Sequence, residues 1–260
     1  MSYFKNDHEE EEQLAEGTLV SHLIELRSRI LKAVGAVLVV FLVLAPFSQE
    51  VFTLVSEPLR NAMPEGSDLI ATKPAGPFLT PFITTLFVAL FIAMPLVLYQ
   101  VWAFVAPGLY RREKRFAVPL LVSSVILFYA GVAFAYYVVF PLMFAFFAAV
   151  TPDGVVMMTD IGEYLSFVLT LFLAFGLSFE VPIATVLLIW TGLVDAEKLR
   201  AARPYVFLGA FVIGMLLTPP DVISQTLLAL PMYALYETGL LMARFLLPEK
   251  VNSMEEKPET

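Results

Sequence analysis

Residues 74–110 read PAGPFLTPFITTLFVALFIAMPLVLYQVWAFVAPGLY, a stretch that contains no Asp, Glu, Lys or Arg. A second uncharged stretch covers residues 116–152. A helix crosses the hydrocarbon core of a bilayer with about 20 apolar residues, and both stretches are longer than this. The alternation of apolar and polar residues that is typical of membrane β-barrels is absent. The chain is therefore predicted to be an all-α polytopic membrane protein.

The composition of the whole chain supports this class and excludes several functions. Of its 260 residues, 59% are hydrophobic and only 15% are charged, which does not suit a soluble domain of this size. Cysteine is absent, which excludes thiol catalysis, disulfide bonds and cysteine-bound metals. His8 and His22 are too isolated to form a metal site, and no phosphate-binding loop, HExxH or GxSxG motif is found. We therefore expect no enzyme activity, no metal site and no cofactor.

The apolar segments predict six transmembrane helices with both termini on the cytoplasmic side. With the termini inside, 14 Lys and Arg residues fall on the inner side, and only Arg60 and Lys73 fall on the outer side. Cytoplasmic loops carry such an excess of positive residues. The transmembrane domain is predicted to cover residues 18–247, between an acidic disordered tail of residues 1–17 and a disordered cytoplasmic tail of residues 248–260. The predicted spans are Ile30–Phe47, Phe78–Phe104, Phe116–Ala149, Tyr164–Trp190, Tyr205–Thr218 and Gln225–Leu247.

The last two spans are predicted to be short. Span five, Tyr205–Thr218, would give about 21 Å of helix against a hydrocarbon core of about 30 Å. The hairpin that it forms with span six would either thin the bilayer or be shielded by other helices. A short amphipathic helix over the membrane is predicted in the outer loop of residues 48–77, from four apolar residues at helical spacing, Val51, Leu54, Val55 and Leu59.

Glu180 interrupts span four about 15 Å from its inner end, near the middle of the bilayer. A charge at that depth costs about 2.5–3.5 kcal/mol on the insertion scale, so the carboxyl is expected to be protonated or to face a polar cavity or the protein interior. Pro182 is expected to kink this helix and to free backbone carbonyls. Two interpretations stay open. The carboxyl is either a neutral buried group with a hydrogen-bond partner or a group in a proton or substrate path.

Two polar segments lie near the inner ends of the first two spans. Residues 18–34 have helical periodicity, with Glu25 on the polar face and Arg27 in the middle of the apolar face. Arg27 either extends its charge to the interface or pairs with a carboxylate in a protein contact. The loop FVAPGLYRREKR, Phe104–Arg115, carries Glu113 among four bases. Anionic headgroups would favour an unbroken basic run, so an acid there indicates a site for a positively charged partner.

Four segments of the chain resemble motifs of the TatC family, the multi-span core of the twin-arginine protein translocase. They are SHLIELRSR (Ser21–Arg29), FVAPGLYRREKR (Phe104–Arg115), SFEVP (Ser178–Pro182) and LLTPPDVISQ (Leu216–Gln225). Their order and spacing and the six-span topology agree with the family from about Thr18 to Leu247. The resemblance implies a subunit that moves folded proteins across an energy-transducing membrane, the cell inner membrane, with the proton-motive force as its energy source.

The resemblance also implies roles for individual residues. On the family pattern they are Glu25, Arg27, Phe104 and Glu113 for binding signal peptides, Glu180 for an intramembrane polar groove, Met215, Thr218 and Gln225 for docking partner helices, and Pro58 and Asp221 for the outer cap.

The implied partners are single-span TatA-like and TatB-like proteins, twin-arginine signal peptides of folded cargo, the lipid bilayer and further copies of the chain. No nucleic-acid partner is expected. The alternative function is a proton-coupled transporter of small solutes with Glu180 as its proton site. That alternative explains Glu180, but it does not explain why Glu113 lies in a basic loop.

Overall fold

The computed structural model describes residues 3–61, 68–105, 117–152, 158–218 and 221–246. Within these ranges the chain forms ten α-helices, a 3-10 turn at Ala45–Phe47, a π-helical segment at Ala135–Val139 and two short strands. The helices are α1 (Tyr3–Leu44), α2 (Ser48–Asn61), α3 (Gly76–Val105), α4 (Ala117–Phe134), α5 (Phe140–Val150), α6 (Ile161–Ser178), α7 (Val181–Trp190), α8 (Ala196–Ala201), α9 (Arg203–Leu217) and α10 (Val222–Leu246). The strands are β1 (Asp68–Ile70) and β2 (Met158–Asp160).

Five helical stretches of the described chain are long and apolar enough to cross a membrane. They are His22–Glu57, Gly76–Phe104, Val118–Phe147, Ile161–Trp190 and Val222–Leu246. The first of these runs from α1 through the 3-10 turn into α2. Helix α9 is apolar but shorter, with 15 residues. The prediction of a helical, multi-pass membrane protein is confirmed.

The lengths of the last two helices agree only in part with the prediction that both are short. At about 1.5 Å per residue, the 15 residues of α9 give roughly 22 Å of helix, so α9 is short as predicted. The prediction is wrong for α10, which has 25 residues. That helix begins at Val222, before the expected start at Gln225, and Pro231 lies inside it without ending it.

The fourth apolar stretch is not one continuous helix. Helix α6 ends at Ser178, Phe179 and Glu180 form a turn, and α7 begins at Val181. Pro182 has no backbone N–H to donate to the preceding turn, and the helical pattern resumes where the Ala184 amide donates to the Glu180 carbonyl at 2.9 Å. The kink expected near Pro182 is therefore confirmed.

The first two helices differ from the sequence-based boundaries. Helix α1 begins at Tyr3, so the helical backbone includes most of the acidic segment assigned to a tail. The division of the chain into a core of residues 18–247 and two tails stays a prediction. The amphipathic helix expected after span one is present as α2. Its Phe52 and Val55 pack against the core, while Leu54 is 74% exposed.

The core lies between the π-helical segment with α5, helix α6 and the hairpin of α9 and α10. Aromatic rings fill much of this core. The centroids of Phe140 and Phe144 lie 4.5 Å apart, and Tyr164 of α6 meets Phe144 edge-on at 5.3 Å. A second cluster, Met94, Leu98 and Phe128, joins α3 to α4.

Glycine allows α4 to approach α6 closely. A Cβ atom on Gly131 would lie 2.5 Å from the carbonyl oxygen of Phe175, and one on Gly176 would lie 2.6 Å from the Phe128 ring. Small residues at helix interfaces have this effect in membrane proteins, where packing, rather than the exclusion of water, holds helices together. The separation of α4 and α6 therefore depends on these two positions.

Strand β1 pairs with β2 in parallel, with Asp68 opposite Met158 and Ile70 opposite Asp160. Strand β1 follows the first apolar stretch and β2 follows the third. Their pairing places both connecting segments at one end of the helical bundle, which we call the strand end. The opposite end contains residues 22–29 of α1 and the end of α3.

Candidate functional site

Arg29 joins α1 to the end of α3. Its guanidinium donates to Glu25 Oε1 at 3.2 Å within α1, to Gln100 Oε1 at 3.3 Å, and to the Ala103 carbonyl at 3.5 Å. The side chains of Arg29 and Glu25 are 25% and 34% exposed, so water screens this ion pair only in part. The contact fixes the rotation of α1 against α3 and leaves part of the Glu25 carboxylate accessible.

His22 and Phe104 make a second contact between the same helices. Their rings stack with centroids 4.4 Å apart and an angle of 24° between the planes. Together with Arg29, this stack brings Glu25 and Phe104, predicted to bind the same partner, to one surface. We call this surface, His22, Glu25, Arg29, Gln100 and Phe104, the α1–α3 surface.

The other two residues predicted for signal-peptide binding have different positions. Arg27 is exposed and makes no hydrogen bond or ion pair with residues that the structure describes. Glu113 lies outside the described residues, between the end of α3 at Val105 and the start of α4 at Ala117.

Glu180 lies at the turn between α6 and α7 and accepts a hydrogen bond from the Ser124 hydroxyl of α4. Ser124 in turn accepts one from the indole Nε1 of Trp102, at 3.0 Å. Trp102, Ser124 and Glu180 thus form a polar chain across three helices. The second carboxylate oxygen, Oε1, is buried and has no partner among the described residues.

The hairpin of α9 and α10 holds the residues predicted to dock partner helices. Thr218 is buried and donates to the Gly214 carbonyl at 2.9 Å, so its hydroxyl is satisfied inside the hairpin. Met215 is 48% exposed, and Gln225 is half-buried. A Cβ atom on Gly214 would lie 3.3 Å from the Gln225 carbonyl oxygen, so the two helices approach closely there.

The two residues predicted for an outer cap lie in separate elements. Asp221 precedes α10, and its Oδ1 accepts from the Ser224 amide at 2.7 Å, which caps the helix. Pro58 lies in the backbone of α2, and its side chain is outside the described part of the structure. No contact between the two is described.

Sequence reasoning missed a polar cluster at the strand end. Asp160 Oδ2 accepts from the Thr72 amide at 2.7 Å and from its hydroxyl at 2.6 Å. Oδ1 accepts from the amides of Gly162 and Glu163, at 2.9 and 3.2 Å, at the start of α6. Lys73 pairs with Glu163 at 2.5 Å. Thr72 and Asp160 are 88 residues apart in the chain, and Lys73 and Glu163 are 90 apart. The sequence pattern held no signal that would join these two pairs.

The hydrogen bonds of this cluster shift two pKa values. The Thr72 hydroxyl, then the backbone N–H groups, stabilise the charged form of Asp160 and lower its pKa to about 2. The hydrogen bond from Lys73 to Glu163, with the attraction of that carboxylate, raises the pKa of Lys73 above its ordinary value. The cluster therefore carries fixed charges of both signs at ordinary pH.

The fold and these sites define a multi-pass membrane protein with polar contacts between its helices at both ends and at one mid-span carboxyl. Residues 21–231 match the family model for Sec-independent protein translocase protein (TatC). The chain belongs to the TatC family. That family consists of subunits of the twin-arginine protein translocase and is not a class of enzyme.

Individual relatives agree with this assignment over most of the chain. The Sec-independent protein translocase protein TatC of Azotobacter chroococcum mcd 1 is 65% identical over 222 residues, 85% of this chain and 87% of the relative. The protein of the same name from Escherichia coli strain K12 is 57% identical over 227 residues, covering 87% and 88%. A solved structure, described as that of the twin-arginine translocase receptor TatC, matches with a TM-score of 0.78 and 36% identity, over 86% of this chain and 98% of that chain.

Proposed function

We propose that this translocase subunit is the receptor for twin-arginine signal peptides, and that Glu25, Phe104 and Glu113 form the binding surface. The observation that carries the proposal is the α1–α3 contact. Arg29 and the His22–Phe104 stack hold Glu25 and Phe104 on one surface, and Glu113 follows Phe104 by nine residues in the sequence. A carboxylate accepts two parallel hydrogen bonds from a guanidinium, a geometry that Lys does not match.

The partial burial of Glu25 supports selective binding. A fully exposed ion pair contributes only about 0–1 kcal/mol, whereas a hydrogen bond to a charged group contributes about 1.5–3 kcal/mol. Glu25 is 34% exposed beside Arg29 and the end of α3. A peptide guanidinium that reaches it is therefore partly shielded from water. The four bases around Glu113 repel a generic cation, so recognition depends on the fork geometry of arginine.

The topology that we propose has six spans, with both termini in the cytoplasm and the strand end outside. The charge asymmetry of the loops supports this orientation. The short helix α9 counts as the fifth span, at the cost of local bilayer thinning or shielding by neighbours. With this orientation the α1–α3 surface faces the cytoplasm, where cargo is made.

We further propose that single-span TatA-like and TatB-like proteins dock on the α9–α10 hairpin, near Met215 and Gln225. The exposed Met215 and the half-buried Gln225 support this site, because a polar side chain within a span gains from a partner on another helix. Thr218 is a weaker candidate for a direct contact since its hydroxyl is already bonded.

The same proposal includes transport driven by the proton-motive force in the inner membrane. It also includes self-association of the chain in a larger complex.

The decisive experiment measures the affinity of a twin-arginine peptide for the full chain in detergent at fixed salt. We expect Glu113→Lys to abolish most of the binding and Glu25→Ala to weaken it. A peptide in which two lysines replace the two arginines should likewise bind weakly to the wild-type protein. Glu197→Lys, at an exposed acid of α8 on the same side of the membrane, is the matched control. If Glu113→Lys binds the peptide as well as the control does, the assignment of the site is wrong.

A further inference from the structure

A cavity of about 220 Å³ opens at the strand end, between the first turns of α3 and α6. Lys73 and Glu163 lie at one end of it, with Asp160 beside them. Apolar side chains line the rest, among them Leu79, Ile83, Leu165 and Leu169. The cavity is far from the α1–α3 surface, and neither the peptide site nor the docking site uses it.

The charged end of the cavity presents a cation and an anion side by side. Lys73 Nζ lies 2.5 Å from Glu163 Oε1, and both side chains are about two thirds exposed, at 68% and 65%. An ammonium has three donors and a carboxylate has two oxygens, so this one contact leaves groups of each sign for a ligand. The carboxylates of Glu163 and Asp160 would repel a ligand that carries only a phosphate. A ligand that carries both a phosphate and an ammonium has Lys73 as the partner of the first and Glu163 as the partner of the second.

The floor of the cavity contains an unsatisfied hydroxyl. Thr84 is 1% exposed, lines the cavity, and its Oγ1 has no hydrogen-bond partner among the described residues. Its neighbour Thr85 donates to the Pro81 carbonyl at 2.7 Å, the usual bond of a threonine in a helix. Buried polar groups are nearly always paired. This unsatisfied hydroxyl is buried beneath the cavity lining, where a change of the Thr84 rotamer would present it to a ligand.

The cavity lies at the depth where the polar and apolar parts of a lipid meet. Thr84 comes eight residues after Gly76, the first residue of α3, which is roughly 12 Å along the helix. Leu79 and Ile83, which line the cavity, are 47% and 44% exposed on a membrane-spanning helix. Apolar side chains exposed on such a helix face hydrocarbon, so the cavity opens to the bilayer.

We propose that this cavity binds one phospholipid whose zwitterionic headgroup carries a phosphate and a primary ammonium. The phosphate pairs with Lys73, the ammonium donates to Glu163, and the ester region lies near the Thr84 hydroxyl. Sites for whole small molecules have volumes of about 300–1,000 Å³. The smaller cavity holds the glycerol region and the start of one chain, which continues along Leu79 and Ile83 into the bilayer.

The test is native mass spectrometry of the delipidated full chain in detergent, titrated with dioleoyl phosphatidylethanolamine or dioleoyl phosphatidylglycerol. The two probes have the same chains and differ in the ammonium. Because the Glu163 side chain is 65% exposed, water screens its hydrogen bond with the ammonium, and we expect the ethanolamine lipid to bind about threefold to fivefold more tightly. Equal affinity for the two lipids would overturn the proposal. Soluble phosphoethanolamine that binds as tightly as the lipid would overturn the assignment of a lipid as the ligand.

Three variants locate the binding in this cavity. Glu163→Lys replaces the acceptor for the ammonium with a second cation beside Lys73 and should reverse the preference toward phosphatidylglycerol. Ser166→Phe, at a half-buried lining position, should weaken both lipids by filling the cavity. Thr84→Val keeps the shape and removes the hydroxyl near the ester region that both lipids share, so it should weaken both lipids while the protein stays folded. Lys198→Glu, at a 75% exposed lysine outside the cavity, is the control. If Glu163→Lys behaves like this control, the proposal fails, whether or not Ser166→Phe folds.

Discussion

Arg29 of α1 donates a hydrogen bond to the side chain of Gln100 in α3, with 3.3 Å between Nη1 and Oε1. The two residues are 71 positions apart in the chain. The same guanidinium pairs with Glu25 one helical turn earlier. Arg29 therefore acts as a positioning residue, which holds the proposed peptide-binding carboxylate against the end of the second span.

We expect Arg29→Ala to weaken peptide binding about fivefold, because a partly exposed ion pair contributes up to about 1 kcal/mol. Since Arg29 acts through Glu25, the double variant Arg29→Ala/Glu25→Ala should bind no more weakly than Glu25→Ala alone. The measurement is peptide affinity in detergent at fixed salt. Lys32→Ala removes an exposed cation from the same helix and is the control. Additive losses in the double variant would show that Arg29 acts independently of Glu25.

We expect Glu180→Gln to keep the fold, because the amide oxygen still accepts from Ser124, and Glu180→Leu to impair transport. Ser124→Ala should destabilise the protein by about 1–3 kcal/mol, since it leaves both the Trp102 indole and the Glu180 carboxyl without their partner. The assays are thermal unfolding in detergent and transport of a folded twin-arginine cargo into membrane vesicles. If both Glu180 variants transport cargo as well as wild type does, Glu180 is only a tolerated buried carboxyl with no role in transport.

Gln225→Leu should weaken the capture of a single-span partner and leave peptide binding unchanged. Interhelical hydrogen bonds in membranes contribute roughly 0.6–2 kcal/mol, which corresponds to a loss of about threefold to thirtyfold. Photocrosslinking of the partner to the full chain measures the capture. Thr226→Val is the control, because the Thr226 hydroxyl is already bonded to the Val222 carbonyl at 2.6 Å. Equal crosslinking to Gln225→Leu and to wild type would contradict the docking site.

Gly131→Ala should destabilise the protein by about 1–3 kcal/mol, the usual cost of overpacking. The new methyl group would meet the Phe175 carbonyl at 2.5 Å, and a backbone atom inside α6 has little freedom to move. Gly176→Ala should cost less, because the atom it meets belongs to the Phe128 side chain. Gly209→Ala, with no atom within 4 Å, is the control and should not destabilise the protein. Thermal unfolding in detergent ranks the three variants, and the reverse order would refute this account of the α4–α6 contact.

Acid should loosen the strand end through Asp160. Its folded-state pKa of about 2 lies below the unfolded value of about 3.9. A lowered pKa gives stability that is present above the unfolded value and is lost as the pH falls through the folded value. Wild-type protein should therefore lose stability between about pH 4 and pH 2, and Asp160→Asn should lose less over that interval. Asp195→Asn, at an acid paired with Lys198 on α8, is the control. An identical pH profile for Asp160→Asn and wild type would rule out this linkage.

Several features of the fold could be predicted because they depend on short windows of sequence. Apolar stretches, the amphipathic pattern of α2 and the missing N–H of Pro182 are local properties, and each led to a correct prediction. The start of α10 was predicted three residues too late, at Gln225. In the structure Asp221 accepts from the Ser224 amide and the helix begins at Val222, where α10 packs against α9.

For the candidate site, the pattern of the sequence singled out Glu113 and Glu180, whereas the proposed roles of Glu25 and Phe104 came from the resemblance to the TatC family. It determined the membrane class, the charge asymmetry of the loops and the family motifs, because hydropathy and motif spacing are written along the chain. Only the tertiary structure decided that Arg29 holds Glu25, that Ser124 links Trp102 to Glu180, and that Lys73, Asp160 and Glu163 line one end of a cavity. The contacts of Arg29 with Gln100 and of Lys73 with Glu163 join residues 71 and 90 positions apart. The packing of whole helices sets such contacts, and no local pattern records which helices become neighbours.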